Sequence, residues 1–357
     1  MLTGTTGTDV ASRGRCRLRA QCAVSLLAPV LLFVLANLAL SPLVRRYPLN
    51  GTYVLIQAKW EQLLSDHTGG DFLILGDSSA LHGVDPDVLD QSANLDSTNF
   101  GSVGNLLVIN DAWMLGKYVK LNGAPRGVLA VHAVDVWNRP VEAVPFAKVP
   151  LPWWYWRDFA TEYPFRGPAV VKMAVIRYLP LSTDNETVAR HMLDPSGAPF
   201  RELSSRVRSR LRRGFWRLPD VNEPAQVAGD CETQLEFIRS HAPGVSEPNR
   251  FALRRIGELT NRYGFDVYLS ASPVYAGLAG NPEFRVFWAA TAREIRSIVG
   301  RYRRLHFEDR IFAVSEQELT DTVDHLTGRS SARFTRHLAA VIARSRPAEA
   351  PGHRSTN

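Results

Sequence analysis

The sequence predicts an α/β protein with a central parallel sheet, preceded by one N-terminal transmembrane helix. Short apolar runs alternate with helical patterns over residues 71–140, and the alternation resumes after about residue 249. A long uncharged stretch lies near the N-terminus. The chain has 357 residues, of which 45% are hydrophobic and 22% are charged. This composition excludes global disorder and allows a sizeable core.

The uncharged stretch has the length of a membrane span. From Cys22 to Leu40 it reads CAVSLLAPVLLFVLANLAL, which as a helix spans roughly 28 Å at about 1.5 Å per residue. Four arginines lie between residues 13 and 19, and only Arg45 and Arg46 follow the stretch closely. The positive-inside rule therefore places the N-terminus in the cytoplasm.

We accordingly predict a single-pass protein of the cell membrane with an extracytoplasmic main domain. A cleaved signal peptide and a buried core helix are the alternatives. Pro42 disfavours cleavage after the stretch, and the basic cluster before it disfavours a core helix. The predicted segments are a cytoplasmic basic N-terminus (1–19), a transmembrane anchor (20–44), the main domain (45–345) with an insertion at about 141–245, and a disordered tail (346–357).

The elements of the main domain follow from apolar runs and capping residues. Residues 72–75 predict a buried strand, and residues 76–79 predict a turn. Asp85 is a suitable N-cap for a short helix with Pro86 at its first position. The remaining predicted elements are strands at 98–100, 127–131 and 266–270 and helices at 104–120, 249–263, 282–301 and 330–344.

Composition excludes several classes of function. The 42 Lys and Arg residues against 35 Asp and Glu residues give a net charge of +7. The arginines are scattered and no zinc-finger or RNA-binding pattern occurs, so we expect no nucleic-acid partner. The spacing of Cys16, Cys22 and Cys231 excludes a disulfide-stapled fold. The histidines lack metal-binding spacing, so we expect neither a metal nor a cofactor.

The predicted insertion combines aromatic and basic residues. Four aromatic residues occupy positions 153–156. A run of arginines follows at Arg206, Arg208, Arg210, Arg212 and Arg213. Such a segment could lie on anionic lipid, line a groove for a polyanionic glycan, or form a cap helix with solvated arginines.

The sequence contains candidates for the three roles of a nucleophilic site. Ser78 follows a predicted buried strand, and open α/β sheets place their sites at the carboxyl ends of strands. A serine nucleophile needs a base and an acid that orients the base. His325, in the segment DTVDHL before the last predicted helix, is the candidate base. Either Asp321 or Asp324 could orient it.

The order of these residues, with the serine near the start of the domain and the Asp/His pair near its end, resembles that of the SGNH/GDSL hydrolase superfamily. The matching blocks are LILGDSSALHGVDPDVL, NFGSVGN and DTVDHL, and they cover roughly residues 70–140 and 265–345. The resemblance implies a flavodoxin-like, three-layer SGNH fold. More narrowly, the sequence resembles the membrane-anchored branch related to cell-envelope O-acyltransferases, such as alginate acetylation proteins and the D-alanyl-transfer protein.

The resemblance also implies roles for individual residues. Ser78 takes the nucleophile position and His325 that of the base, and the N–H groups of Ser78 and Gly104 form the oxyanion hole. The family usually has Asp three residues before the histidine, where this chain has Thr322. The branch pattern Asp-Thr-x-x-His-Leu makes Asp321 the first choice and Asp324 the second.

Other predicted site residues depart from the family pattern. Asn138 is the nearest candidate for a third oxyanion donor, although it is displaced along the chain. His132 and Asp135 are candidates for lining the cleft, with Asp135 contacting substrate. His82, four residues after Ser78, is a further candidate substrate contact.

The expected function is acyl transfer or ester hydrolysis through an acyl-Ser78 intermediate. The expected substrate is an acyl ester, most simply acetyl, of a cell-envelope glycan or glycolipid, and the expected partner is a multi-spanning membrane acyltransferase. A catalytically silent scaffold or glycan-binding component of a polysaccharide assembly complex is the alternative. A membrane-surface lipase using the aromatic residues at 153–156 is a third hypothesis.

Overall fold

The structure is a computed structural model that describes residues 8–65, 71–150, 168–194 and 196–345. The predicted aromatic cluster at 153–156 and the predicted tail at 346–357 lie outside these residues. The strands are β1 (Phe72–Gly76), β2 (Ser97–Asn99), β3 (Gly127–His132), β4 (Leu211–Arg212), β5 (Phe215–Trp216), β6 (Asp266–Ala271), β7 (Pro273–Tyr275), β8 (Leu305–Glu308) and β9 (Phe312–Val314).

Helices separate most of these strands. Most of the predicted helices are present with small shifts at their ends, and Asp85 caps the helix in which Pro86 is the first residue. The helices are α1 (Thr8–Arg46), α2 (Gly51–Ser65), α3 (Ser78–Gly83), α4 (Pro86–Ala93), α5 (Leu107–Asn122), α6 (Ala143–Ala147), α7 (Pro168–Tyr178), α8 (Pro180–Thr183), α9 (Asn185–Leu193), α10 (Ala198–Ser209), α11 (Pro224–Ser240), α12 (Glu247–Tyr263), α13 (Ala276–Gly280), α14 (Pro282–Val299) and α15 (Gly328–Ser345).

Five parallel strands form the central sheet in the order β2-β1-β3-β6-β8. This confirms the predicted α/β class with a central parallel sheet. The strand β8 was not predicted, because its sequence LHFE lacks the apolar run of the other central strands. Two smaller pairs lie outside this sheet: β4 with β5, which are antiparallel, and β7 with β9, which are parallel.

Helices cover both faces of the sheet, because alternate strand residues point to opposite sides. Leu73 and Leu75 join a core cluster with α2, α5, α12 and α14. Phe72 and Ile74 join a second cluster with α3, α4 and α15. The result is a three-layer arrangement with an apolar core on each side of the sheet.

The N-terminal helix α1 contains a segment long and apolar enough to cross a membrane. This segment, Leu27–Arg46, has 20 residues and a mean hydropathy of 2.2, and 17% of its most apolar window is buried. Its last turns contact the main domain. Ser41 Oγ donates to the carbonyl of Arg177 at 2.8 Å, and Leu181 N donates to Asn37 Oδ1 at 2.8 Å.

The strand order places a crevice at the carboxyl ends of β1 and β3. From β1 the chain passes to β2 on one side, and from β3 it passes to β6 on the other. Ligand sites in open α/β sheets lie at such a reversal of strand order. At this point Ala133 N, just after β3, donates to Asp77 Oδ2, just after β1, at 2.7 Å.

Candidate active site

The turn after β1 presents Ser78 and uses its neighbours for structure. Asp77 caps α3 by accepting from Ser79 N at 2.8 Å, and it also accepts from the Ser79 hydroxyl. Gly76 has φ +128°, and a Cβ there would lie 2.0 Å from the Val131 carbonyl oxygen, so this position requires glycine. Ser79 is fully buried, whereas Ser78 is half-buried. Ser78 therefore supplies the accessible hydroxyl of this turn.

The loop before α15 orients His325 through Asp321. His325 Nδ1 donates to Asp321 Oδ1 at 3.0 Å. Asp324 Oδ1 instead accepts from Thr322 Oγ1 at 2.8 Å. The hydroxyl of Thr322 also accepts from His325 N at 3.0 Å, so this threonine shapes the loop. Of the two candidate carboxylates, Asp321 is the one that holds the imidazole.

His82 joins this loop to the helix that begins with Ser78. Its ring lies edge-on to that of His325, with 5.0 Å between the centroids. His82 and Ser78 are one helical turn apart on α3, so they share a face of that helix. The structure thus brings the region of His325 next to the turn that carries Ser78. Among the described residues, neither Ser78 Oγ nor His325 Nε2 has a hydrogen-bond partner.

Electrostatics shift the pKa values of the two carboxylates in opposite directions. The hydrogen bond from His325 holds the pKa of Asp321 well below its usual range. Burial raises the pKa of Asp324 to about 6, and the charge of Asp77 adds to this. Burial alone would lower the pKa of His325, but its hydrogen bond to Asp321 and the charges of Asp324 and Asp321 raise it above 6.5. An ionised Asp321 paired with a basic imidazole is the arrangement that a general base requires.

His82 has no charge near neutral pH. Burial and the charge of His325 lower the pKa of His82 to about 3. Because the carbonyl oxygen of Trp216 can only accept, His82 Nδ1 carries the proton and donates to it at 2.8 Å. His82 is therefore fixed as a neutral side chain beside the candidate base.

Gly104 lies against the turn that carries Ser78. A Cβ built on Gly104 would lie 3.9 Å from Asp77 Cβ. Ser78 is the first residue of α3, so its N–H has no acceptor within the helix. Gly104 therefore lies next to Asp77, the residue before Ser78, at the carboxyl end of β1.

Asn138 does not point toward this site. Its side-chain amide donates to the carbonyls of Ala242 at 2.6 Å and Gly244 at 3.4 Å. This corrects the expectation that Asn138 is a third oxyanion donor, because the amide N–H groups hold a distant loop. The Arg139 guanidinium lies nearer, since its Nη1 would be 3.4 Å from a Cβ on Gly104.

Arg139 also changes the role expected for Asp135. Arg139 Nε donates to Asp135 Oδ2 at 2.8 Å, and Nη1 donates to Asn105 Oδ1 at 2.9 Å. Asp135 is buried, so its carboxylate positions Arg139 and is not an open substrate contact. The sequence contained a sign of this pair in the four-residue spacing from Asp135 to Arg139.

His132, Asp111 and Asp77 form a buried ionisable network next to the turn that carries Ser78. His132 is 1% exposed and lies between two buried carboxylates. Its Nε2 is 2.7 Å from Asp111 Oδ2, and its Nδ1 is 3.6 Å from Asp77 Oδ2. Although burial opposes its charge, Asp111 and Asp77 raise the pKa of His132 to about 10. His132 is thus inside the protein, contrary to the expectation that it lines the cleft.

A pocket of about 660 Å³ opens beside His325 and Asp321. Part of the predicted insertion forms its wall, with Arg210, Trp216 and Arg217. Neither of these arginines has an acidic partner among the described residues, and Arg210 lies over the Trp216 ring at 5.2 Å. The insertion therefore contributes cations and an aromatic face to the candidate site.

The other arginines of the run are paired, and not all of them are helical. Helix α10 ends at Ser209, and Arg212 and Arg213 lie in the β4–β5 hairpin. Arg213 contacts the carboxylates of Asp87, Asp90 and Asp96. The remaining pairs are Arg206 with Glu202, Arg208 with Glu61 and Arg212 with Asp87.

Lys59 fixes the hairpin against the domain. Its side chain is completely buried, and Nζ donates to the carbonyls of Asn99 at 2.8 Å and Gly214. Burial lowers the pKa of Lys59 well below its usual value. Sequence reasoning missed this residue, because nothing in the helical pattern around it marks a buried lysine.

The structure thus brings Ser78, Gly104, His82, Asp321 and His325 into one region and turns Asn138 away from it. The residues that sequence reasoning missed are Asp111, Arg139, Lys59 and the pocket-lining Arg217. No model of a known protein family matches this chain, and no curated protein matches it.

Proposed function

We propose that this protein is a membrane-anchored, serine-dependent acyltransferase or esterase of the SGNH type. It acts on acyl esters, most simply acetyl esters, of cell-envelope glycans or glycolipids. The observation that carries the proposal is the Asp321–His325 pair, whose imidazole packs on the helix that Ser78 begins. The membrane-length segment of α1 supports a cell-membrane location, with the main domain outside the cytoplasm.

The first half of the reaction forms an acyl-enzyme. Ser78 Oγ attacks the ester carbonyl carbon while His325 Nε2 accepts its proton, and Asp321 stabilises the imidazolium. The N–H groups of Ser78 and Gly104 bind the oxyanion of the tetrahedral intermediate. As this intermediate collapses, the ester C–O bond breaks and His325 returns the proton to the leaving alcohol.

The second half transfers the acyl group. A sugar hydroxyl or water loses its proton to His325 and attacks the acyl carbon, and Ser78 Oγ leaves with the proton returned. Trp216 lines the pocket with an aromatic side chain that a sugar can contact, and Arg210 and Arg217 offer hydrogen-bond donors beside it. A membrane anchor suits receipt of acyl groups from a multi-spanning acyltransferase.

The test uses the full chain in a neutral detergent with p-nitrophenyl acetate. The wild type should release p-nitrophenol, and Ser78→Ala should abolish this turnover. Ser205→Ala is the matched control, because Ser205 is an exposed serine of α10. Equal turnover by wild type and Ser78→Ala would refute the assignment of Ser78 as the nucleophile.

A second candidate function is a non-catalytic glycan-binding component of a polysaccharide assembly complex. The observation that favours it is the engagement of Asn138 with Ala242 and Gly244, which leaves the oxyanion hole without that donor. It predicts glycan binding that Arg217→Gln weakens and no turnover of acyl esters. Turnover that depends on Ser78 would exclude it.

A further inference from the structure

A second cavity lies where the apolar segment of α1 ends. It measures about 330 Å³, and four cationic side chains line it: Arg45, Arg46, Lys148 and Arg177. Glu61 and Gln57 also line it. The cavity is separate from the pocket beside His325, which has a different set of lining residues.

Acidic side chains neutralise only some of these cations. Lys148 pairs with Asp184 at 2.5 Å, and Glu61 is shared with Arg208 outside the cavity. Arg45 and Arg46 have no acidic partner among the described residues. Their guanidinium groups lie over the rings of Tyr178 at 5.4 Å and Tyr47 at 5.5 Å.

Arg177 adds a buried positive charge. It is 4% exposed, and its Nη1 donates to the carbonyls of Ala147 at 3.2 Å and Val149 at 3.0 Å. Burial and the charge of Arg45 lower the pKa of Arg177 to about 10, so it remains charged at neutral pH. Three guanidinium groups around one cavity favour an anion with several oxygens, such as a phosphate.

Apolar side chains are exposed near the cavity, beside the apolar segment of α1. Helices α7 to α9 pack beside the last turns of α1, and His191 Nε2 contacts the Tyr47 carbonyl at 2.7 Å. On this part of the surface Met192 is 71% exposed and Leu193 is 86% exposed. Val171 on α7 is also exposed. Exposed apolar side chains beside a membrane-length helix are expected at the surface of a bilayer.

We propose that this cavity binds the phosphate of an anionic membrane lipid whose acyl chains lie along α1. The proposal rests on the membrane anchoring in the proposed function and is independent of the esterase chemistry. A free phosphate ester would offer the same oxygens to the arginines. The adjoining apolar surface favours the lipid as the source.

Native mass spectrometry of the full chain, released from neutral detergent micelles, tests the proposal. We expect dioctanoyl phosphatidylglycerol to bind more tightly than dioctanoyl phosphatidylcholine and than glycerol 3-phosphate. Replacing both Arg45 and Arg46 with Gln should weaken phosphatidylglycerol binding by roughly 25-fold, or about fivefold for each arginine. Replacing both with Lys should weaken binding less than replacing both with Gln, because the charge remains.

Replacing both Arg206 and Arg250 with Gln is the matched control, since it also removes two charges, from paired arginines that do not line the cavity. Equal binding of the two lipids, unchanged binding in the double Gln variant, or equally tight binding of glycerol 3-phosphate would each overturn the proposal. Carbonate extraction of membranes tests the anchor separately. Release of the wild type would refute the anchor, whereas lost lipid selectivity in carbonate-resistant protein would refute only the lipid site.

Discussion

His325 Nδ1 lies 3.0 Å from Asp321 Oδ1, although Asp324 is the immediate neighbour of His325 in sequence. The backbone of the loop explains this choice. Thr322 accepts from His325 N and donates to Asp324, which directs the Asp324 carboxylate to the threonine. A single hydroxyl thus separates the two carboxylates into one that orients the imidazole and one that does not.

Exchanging the two carboxylates for amides should therefore have unequal effects. Asp321→Asn should lower kcat for p-nitrophenyl acetate by roughly 10²- to 10⁴-fold, because it removes the group that fixes the imidazole tautomer. Asp324→Asn should lower it far less, since the amide oxygen can still accept from Thr322. Steady-state kinetics of the two variants measure the difference. Equally small losses in both variants would show that neither carboxylate acts as the orienting acid.

The pH profile should report the pKa of His325. Only the neutral imidazole can accept the Ser78 proton, so kcat/KM should rise with pH through a pKa above 6.5 and then level off. Asp321→Asn should move this rise to lower pH, because the variant lacks the carboxylate that raises the pKa. The control is Asp220→Asn, which changes a pocket carboxylate bound to Arg329 instead. If Asp220→Asn moves the rise in kcat/KM as far as Asp321→Asn does, the rise does not report the pairing of His325 with Asp321.

His132 should make stability depend on pH. Its pKa is about 10 in the folded protein and near 6.5 when unfolded. The folded state binds the extra proton between these values, so the contribution is complete below about 6.5 and is lost as pH rises through about 10. His132→Gln should lower the unfolding midpoint and flatten its decline from pH 7 to pH 10. His241→Gln is the control. If the unfolding midpoint of His132→Gln falls with pH as steeply as those of the wild type and of His241→Gln, the charged network is refuted.

Gly104 should tolerate no side chain at full activity. A Cβ there would lie 3.3 Å from Val136 Cγ2 and 3.4 Å from Arg139 Nη1. These neighbours must move by a few tenths of an ångström to admit it, so Gly104→Ala should disturb the oxyanion donor and lower kcat by about tenfold or more. Gly229→Ala is the control, since Gly229 in α11 has open space around its Cα. Unaltered kcat in Gly104→Ala would remove this N–H from the mechanism.

Local sequence patterns were sufficient for most of the fold. The run FLIL predicts a fully buried strand, and Asp85 with Pro86 predicts a helix start, because both depend on neighbouring residues. The strand β8 was missed because its residues His306 and Glu308 are only partly buried, and pairing with β6 defines it.

The candidate site was less predictable, because its contacts join distant parts of the chain. Ser78 and His325 could be predicted from the sequence, because Ser78 follows a predicted strand and His325 precedes a predicted helix. The sequence could not show that Asn138 would reach Ala242, 104 positions along the chain. Nor could it show that Lys59 would be buried under the hairpin at Gly214, 155 positions away.

Mapping a fluorophosphonate adduct by peptide mass spectrometry identifies the nucleophilic serine. In the full-length wild type, the phosphonyl group should be found on Ser78. His325→Ala should slow its formation by roughly 10²-fold or more, because the hydroxyl then lacks its base. An adduct on another serine would show that Ser78 is not the nucleophile, and labelling of Ser78 at the same rate in His325→Ala would show that His325 is not its base.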